Sequence, residues 1–70
     1  MRTIEVVFYR EGETWVAQAL NVEVSSFGDT RPEARTGIEE ALELYFQDSV
    51  EGDVIEVTDV GVETVSVGVA

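Results

Sequence analysis

The sequence has no cysteine, no histidine and no lysine. Without cysteine there is no disulfide framework, no thiol nucleophile and no thiolate metal site, and redox compartment cannot be read from thiol usage. Without histidine there is no imidazole base, and a zinc site would rest on carboxylates alone. Basic side chains are scarce: four arginines face 15 acidic residues, for a formal net charge of -11. Phosphate binding needs clustered Lys and Arg, so direct binding of nucleic acid is not expected. Anionic membranes should repel the chain for the same reason. No apolar run is long enough for a signal peptide or a membrane span, which makes the cytoplasm the expected compartment. The six glycines are scattered and build no phosphate-binding loop.

What is present fits one small domain, residues 1–70. A core of that size is thin, and chains this short commonly add a disulfide, a metal or a partner subunit. With thiols excluded, association is the remaining way to hide apolar surface, so a homo-oligomer (dimer or tetramer) is expected. The acid excess keeps a small protein dispersed; it would also attract and steer a basic protein partner.

Residues 3–10, TIEVVFYR, alternate with period two. Ile4, Val6 and Phe8 share one face; Glu5, Val7 and Tyr9 share the other. Glu11-Gly12 supplies a turn. Residues 14–20, TWVAQAL, form a second strand, with Trp15, Ala17 and Ala19 on one face and Val16, Gln18 and Leu20 on the other. The two make a hairpin. Residues 22–27, VEVSSF, read as a third strand.

A marked helix follows. Thr30-Arg31-Pro32-Glu33 fits the capping box, in which the Thr hydroxyl accepts from the Glu amide and the Glu carboxylate reaches back. Pro32 sits in the first turn, where its missing N–H is harmless. Gly28 just before is expected to allow a sharp change of direction. Ala34, Ile38, Ala41, Leu42 and Tyr45 fall on one face, with Glu39, Glu43 and Gln47 opposite. Leu44 and Phe46 widen the apolar surface. Gly37 flanks the stripe and suggests close packing on the sheet. Residues 48–53 break the pattern. Residues 54–60 are extended, with a short strand allowed near 54–57, and 62–69, VETVSVGV, alternate as a last strand. The expected fold is α+β: an antiparallel β-β-β-α-β sheet with one helix on one face. One helix covers one face only; Trp15, Phe27 and the valines offer more apolar surface than a monomer would comfortably expose, and an uncovered sheet face or edge invites a partner.

Candidate chemistry is sparse. Glu39, Glu40 and Glu43 are close along a helix, as Mg²⁺ ligands or acid–base pairs can be, yet they occupy its solvated face. Glu51 and Asp53 flank Gly52, but their spacing fits no EF-hand loop. Tyr9, Trp15 and Tyr45 read as core or interface residues, since no basic groove accompanies them. No catalytic residue, cofactor site or metal site is assigned. The residues themselves lead to an acidic, non-enzymatic binding domain.

Residues 14–46, TWVAQALNVEVSSFGDTRPEARTGIEEALELYF, resemble the HicB-like antitoxins of HicA–HicB toxin–antitoxin systems. The likeness rests on Trp15-Val16-Ala17, Gly28-Asp29-Thr30, Glu33-Ala34 and the run Glu40 to Tyr45, in that order and spacing. It implies a partly degraded ribonuclease H-like domain without that enzyme's catalytic carboxylates. The implied partner is a small basic HicA-type toxin, an mRNA-cleaving ribonuclease whose active site the antitoxin blocks. Many members carry Leu-Pro-Gly before the third strand, where this chain has Leu20-Asn21-Val22. The likeness covers the N-terminal HicB domain and not the DNA-binding segment that typically follows it. A solitary homo-oligomeric binding domain with no toxin is the alternative; a residual metal-dependent nuclease rests on fold analogy alone. Expected partner contacts are surface acids near the strand ends, Glu11, Glu13 and Glu23. Gly28, Asp29, Thr30 and Glu33 are assigned to the helix start, and self-association to the sheet-edge residues of the first and last strands.

Overall fold

The computed structural model describes residues 3–48 and 54–68. Three strands and one helix follow in chain order: β1 Val6–Glu11, β2 Thr14–Ala19, β3 Ser25–Gly28 and α1 Arg31–Asp48. The architecture is α+β, with a three-stranded antiparallel sheet in the order β1-β2-β3.

The hairpin register runs from Val6↔Ala19 to Glu11↔Thr14, leaving Gly12 and Glu13 as a two-residue loop. Gly12 has φ 61°. Positive φ at the first loop position alone is the type II′ pattern, whose twist matches the flanking strands. This register puts Val6 and Phe8 on the same face as Ala17 and Ala19, and sets Val7, Tyr9 and Val16 on the other. The expected alternation of the first two strands is therefore seen.

The third strand starts later than its sequence suggests. It spans Ser25–Gly28, paired from Gln18↔Ser25 to Trp15↔Gly28. Val22 and Val24 lie in the preceding connection and pack on the core instead. The Ala19 amide donates to the Val24 carbonyl (2.9 Å) and the Val24 amide to that of Val22 (3.0 Å), which closes the connection tightly.

The helix lies on the Ala17 face. Ala17, Ala19, Ala34 and Ile38 form the buried centre, with Ile4, Val6, Phe8, Trp15, Val22, Val24 and Leu42 packed around it. Small residues let the helix approach closely. A β-carbon on Gly37 would sit 3.1 Å from the Ser26 hydroxyl, so the expected close packing at Gly37 is present. Ser26 donates to the Ala34 carbonyl (2.6 Å), tying β3 to the helix.

The helix start is capped from both sides. The Glu33 amide donates to Thr30 Oγ1 (3.3 Å), and Glu33 Oε1 accepts from the amides of Thr30 (3.1 Å) and Asp29 (2.9 Å). One carboxylate thus serves two donors, one more than the capping box requires. Glu33→Ala is expected to destabilise the fold by about 1 kcal/mol and Thr30→Ala by less, read from thermal denaturation. At Gly28 the φ is not positive; a glycine is required there because a β-carbon would lie 2.7 Å from the Ala34 nitrogen.

No strand is formed by residues 54–68, which corrects both the short strand near 54–57 and the last strand at 62–69 as far as Gly68. Val62, Val65 and Val67 are 95%, 71% and 78% exposed. Alternation makes a segment able to be a strand, but a strand exists only when another backbone pairs with it. The Glu51–Asp53 loop considered for Ca²⁺ lies outside the described residues. Among the described residues, no helix is long and apolar enough to cross a membrane.

Candidate functional site

The helix sits off centre. It packs on β2 and β3, leaving the β1 side of the same face open. The result is a groove of about 860 Å³ between strand and helix. Its floor is apolar: Ile4, Val6 and Phe8. Its helical wall carries Leu42 and Phe46, and acids at Glu39 and Glu43. Positions 35, 39, 42, 43 and 46 share one flank of a 3.6-residue helix, so the sequence places this wall on one side.

This changes the reading of two acids. Glu39 and Glu43 are exposed, as expected. They do not point directly away from the sheet, however; they stand on the flank above β1 and rim the groove. Arg35 is 3.9 Å from Glu39, with both side chains mostly exposed. Such a pair contributes little to stability and can exchange partners at small cost. Arg31 lies over the Phe8 ring, 4.6 Å from its centroid, and so covers the end of the groove floor near the helix start. Tyr45 meets Phe46 edge-on at 5.1 Å.

The acids chosen from sequence fall elsewhere. Glu11 and Glu13 are together at the hairpin tip, while Glu23 lies in the β2–β3 connection at the opposite end of β2. All three are exposed. None lines the groove. Gly28, Asp29, Thr30 and Glu33 are gathered at the helix start. The groove acids were missed because helical periodicity locates the buried stripe and not the edge of the sheet beneath it.

The opposite sheet face carries a cross-strand row, Tyr9–Val16–Phe27. Val16 is buried at 3% exposure between neighbours that stay open, Phe27 being 67% exposed. Trp15 is half-buried on the helix face, across from Gly28.

At the other end of the sheet, Asn21 acts as a clamp. Its Oδ1 accepts from the Glu5 amide (2.8 Å) and its Nδ2 donates to the Ile55 carbonyl (2.7 Å). The Leu20 amide donates to the Glu5 carbonyl (2.9 Å) beside it. Asn21 thereby joins the approach to β1, the β2–β3 connection and the chain that follows the helix.

Among the described residues, no group of three His, Cys, Asp or Glu side chains is placed to hold a metal ion. Arranged as it is, the surface suits recognition: an apolar trough for a hydrophobic side chain, with carboxylates at its rim for a cation. No family model matches the chain, and neither a curated protein nor a solved structure is found to be similar to it.

Proposed function

We propose that this chain is a HicB-like interaction domain that binds and neutralises a small basic HicA-type toxin, acting by binding rather than by catalysis. The observation that carries the reading is the groove between β1 and α1, apolar at its floor and rimmed by Glu39 and Glu43. An amphipathic basic segment meets both needs of such a groove. Net charge -11 adds long-range attraction to the same class of partner. The residues from Trp15 to Tyr45 supply the family likeness.

The test is co-expression with the open reading frame beside this gene, read by co-purification and by rescue of growth. A small basic product should bind, and its toxicity should vanish. Glu39→Lys with Glu43→Lys should weaken binding about tenfold to a hundredfold and restore toxicity. Both positions are exposed, so the fold should persist in circular dichroism. Glu11→Lys with Glu13→Lys is the comparison. If that pair alone weakens binding, the hairpin tip is the contact and the groove is not. A neighbouring frame with no small basic product, or a product that leaves growth unaffected, overturns the antitoxin reading.

A solitary self-associating domain is the second reading. The exposed valines of residues 62–67 favour it.

A further inference from the structure

We infer that residues 60–68 are an exchange arm, which pairs along the outer edge of β1 in a second copy of this chain and receives that copy's arm in return. The inference holds with or without a toxin. It deepens the self-associating reading by naming the two surfaces that meet.

The first surface is the β1 edge. In the order β1-β2-β3, β1 pairs on one side only, with β2. Its sequence, VVFYRE, carries apolar and aromatic residues along most of its length. An edge of that kind is a template for another strand. The second surface is the arm. Its residues are extended by sequence preference, and Val62, Val65 and Val67 are largely bare. Nine residues reach roughly 30 Å when extended, more than the roughly 20 Å of a six-residue strand.

The size of the molecule shows that the arm is not folded back. The radius of gyration is 14.3 Å, against about 11 Å for a compact chain of this length. The accessible surface is 5905 Å², against about 4,300 Å² for a compact protein of this mass. The excess of roughly 1,600 Å² is comparable with what a stable interface removes from water. A chain with this much surplus surface has the means to build a dimer.

The choice of a second copy over the chain's own edge follows from where the arm leaves. The clamp from Asn21 pins Ile55 beside Glu5, at the beginning of β1. Four residues on, Asp59 has φ 56°, a left-handed turn. Everything described beyond this turn is exposed. The described residues beyond this turn therefore do not run paired along their own β1, where closing in cis would require them. Reciprocal exchange between two such chains closes on a two-fold axis and pairs both β1 edges. The arriving strand would also extend the groove floor past Val6 and Phe8.

Sedimentation velocity on the full chain tests this, with wild type beside a Val65→Lys, Val67→Lys variant. Wild type is expected at twice the 7.7 kDa chain mass. The variant is expected as a monomer that keeps the helix signal in far-ultraviolet circular dichroism and loses the strand signal of the paired arms, because neither side chain is buried in the single chain. Salt separates this association from toxin binding. Two chains of net charge -11 repel, so added salt should strengthen the dimer, whereas it should weaken a complex with a basic partner. A wild-type monomer, or a dimer that the two lysines leave intact, overturns the exchange without bearing on the toxin.

Discussion

Ile38→Ala is expected to lower stability by about 3–4 kcal/mol, among the largest effects of any single substitution in this domain. Ile38 is 2% exposed and is the one large side chain in a buried cluster otherwise made of Ala17, Ala19 and Ala34. Alanines facing a new cavity cannot move side-chain atoms into it. Only the partly buried side chains around the cluster can relax toward the cavity, so much of it stays and the cost falls in the middle to upper part of the range for such truncations. A domain of this length has on the order of 4–10 kcal/mol in total. The variant should melt roughly 15–25 °C below wild type. In urea the midpoint should fall with the slope preserved, which identifies lost stability rather than a changed native state. An unchanged midpoint would mean that the helix is not held through Ile38.

Gly28→Ala is expected to cost about 2–3 kcal/mol for a different reason. The added β-carbon would meet the Ala34 nitrogen and Glu33 Cβ, both at 2.7 Å. Neither can yield cheaply, since one is helix backbone and the other belongs to the residue whose carboxylate caps the helix. Relieving the clash means lifting the first turn from β3. Gly12→Ala is the matched comparison: nothing lies within 4 Å of the added atom, but φ is +61°. It should cost about 1 kcal/mol through backbone conformation alone. Equal melting temperatures for the two variants would show that the approach at Gly28 is looser than 2.7 Å suggests.

These expectations also mark how far the sequence could be read. The hairpin, its faces and the capping box were legible because each depends on residues close in the chain. Gly37 was legible because a glycine beside an apolar helical stripe has few uses other than close approach. The third strand was displaced because Val22 and Val24 alternate like a strand yet serve the core from a connection. The segment 62–69 was taken for a strand on the same signal, and its described part is none. Alternation reports a capacity, while pairing depends on a second backbone that local pattern does not specify. The groove escaped for a related reason. Periodicity separated Ile38 from Glu39 and Glu43, but the offset of the helix toward β3 was set by Gly28, Ser26 and Gly37, where backbones come close.

The alanine-rich centre has a thermal consequence. Burial of apolar surface sets the heat capacity of unfolding, which for ordinary domains is about 12–15 cal/mol/K per residue. Here the buried cluster is three alanines and one isoleucine, and most of the valines beyond the helix remain in water. The single chain therefore lies toward the low end of that range. A broad and shallow stability curve is expected, changing little with temperature, and calorimetry checks it. Close backbone approach, with Ile38 as the one bulky side chain in the buried cluster, holds the helix to the sheet, and a fold held that way is limited by the height of its stability curve more than by its width.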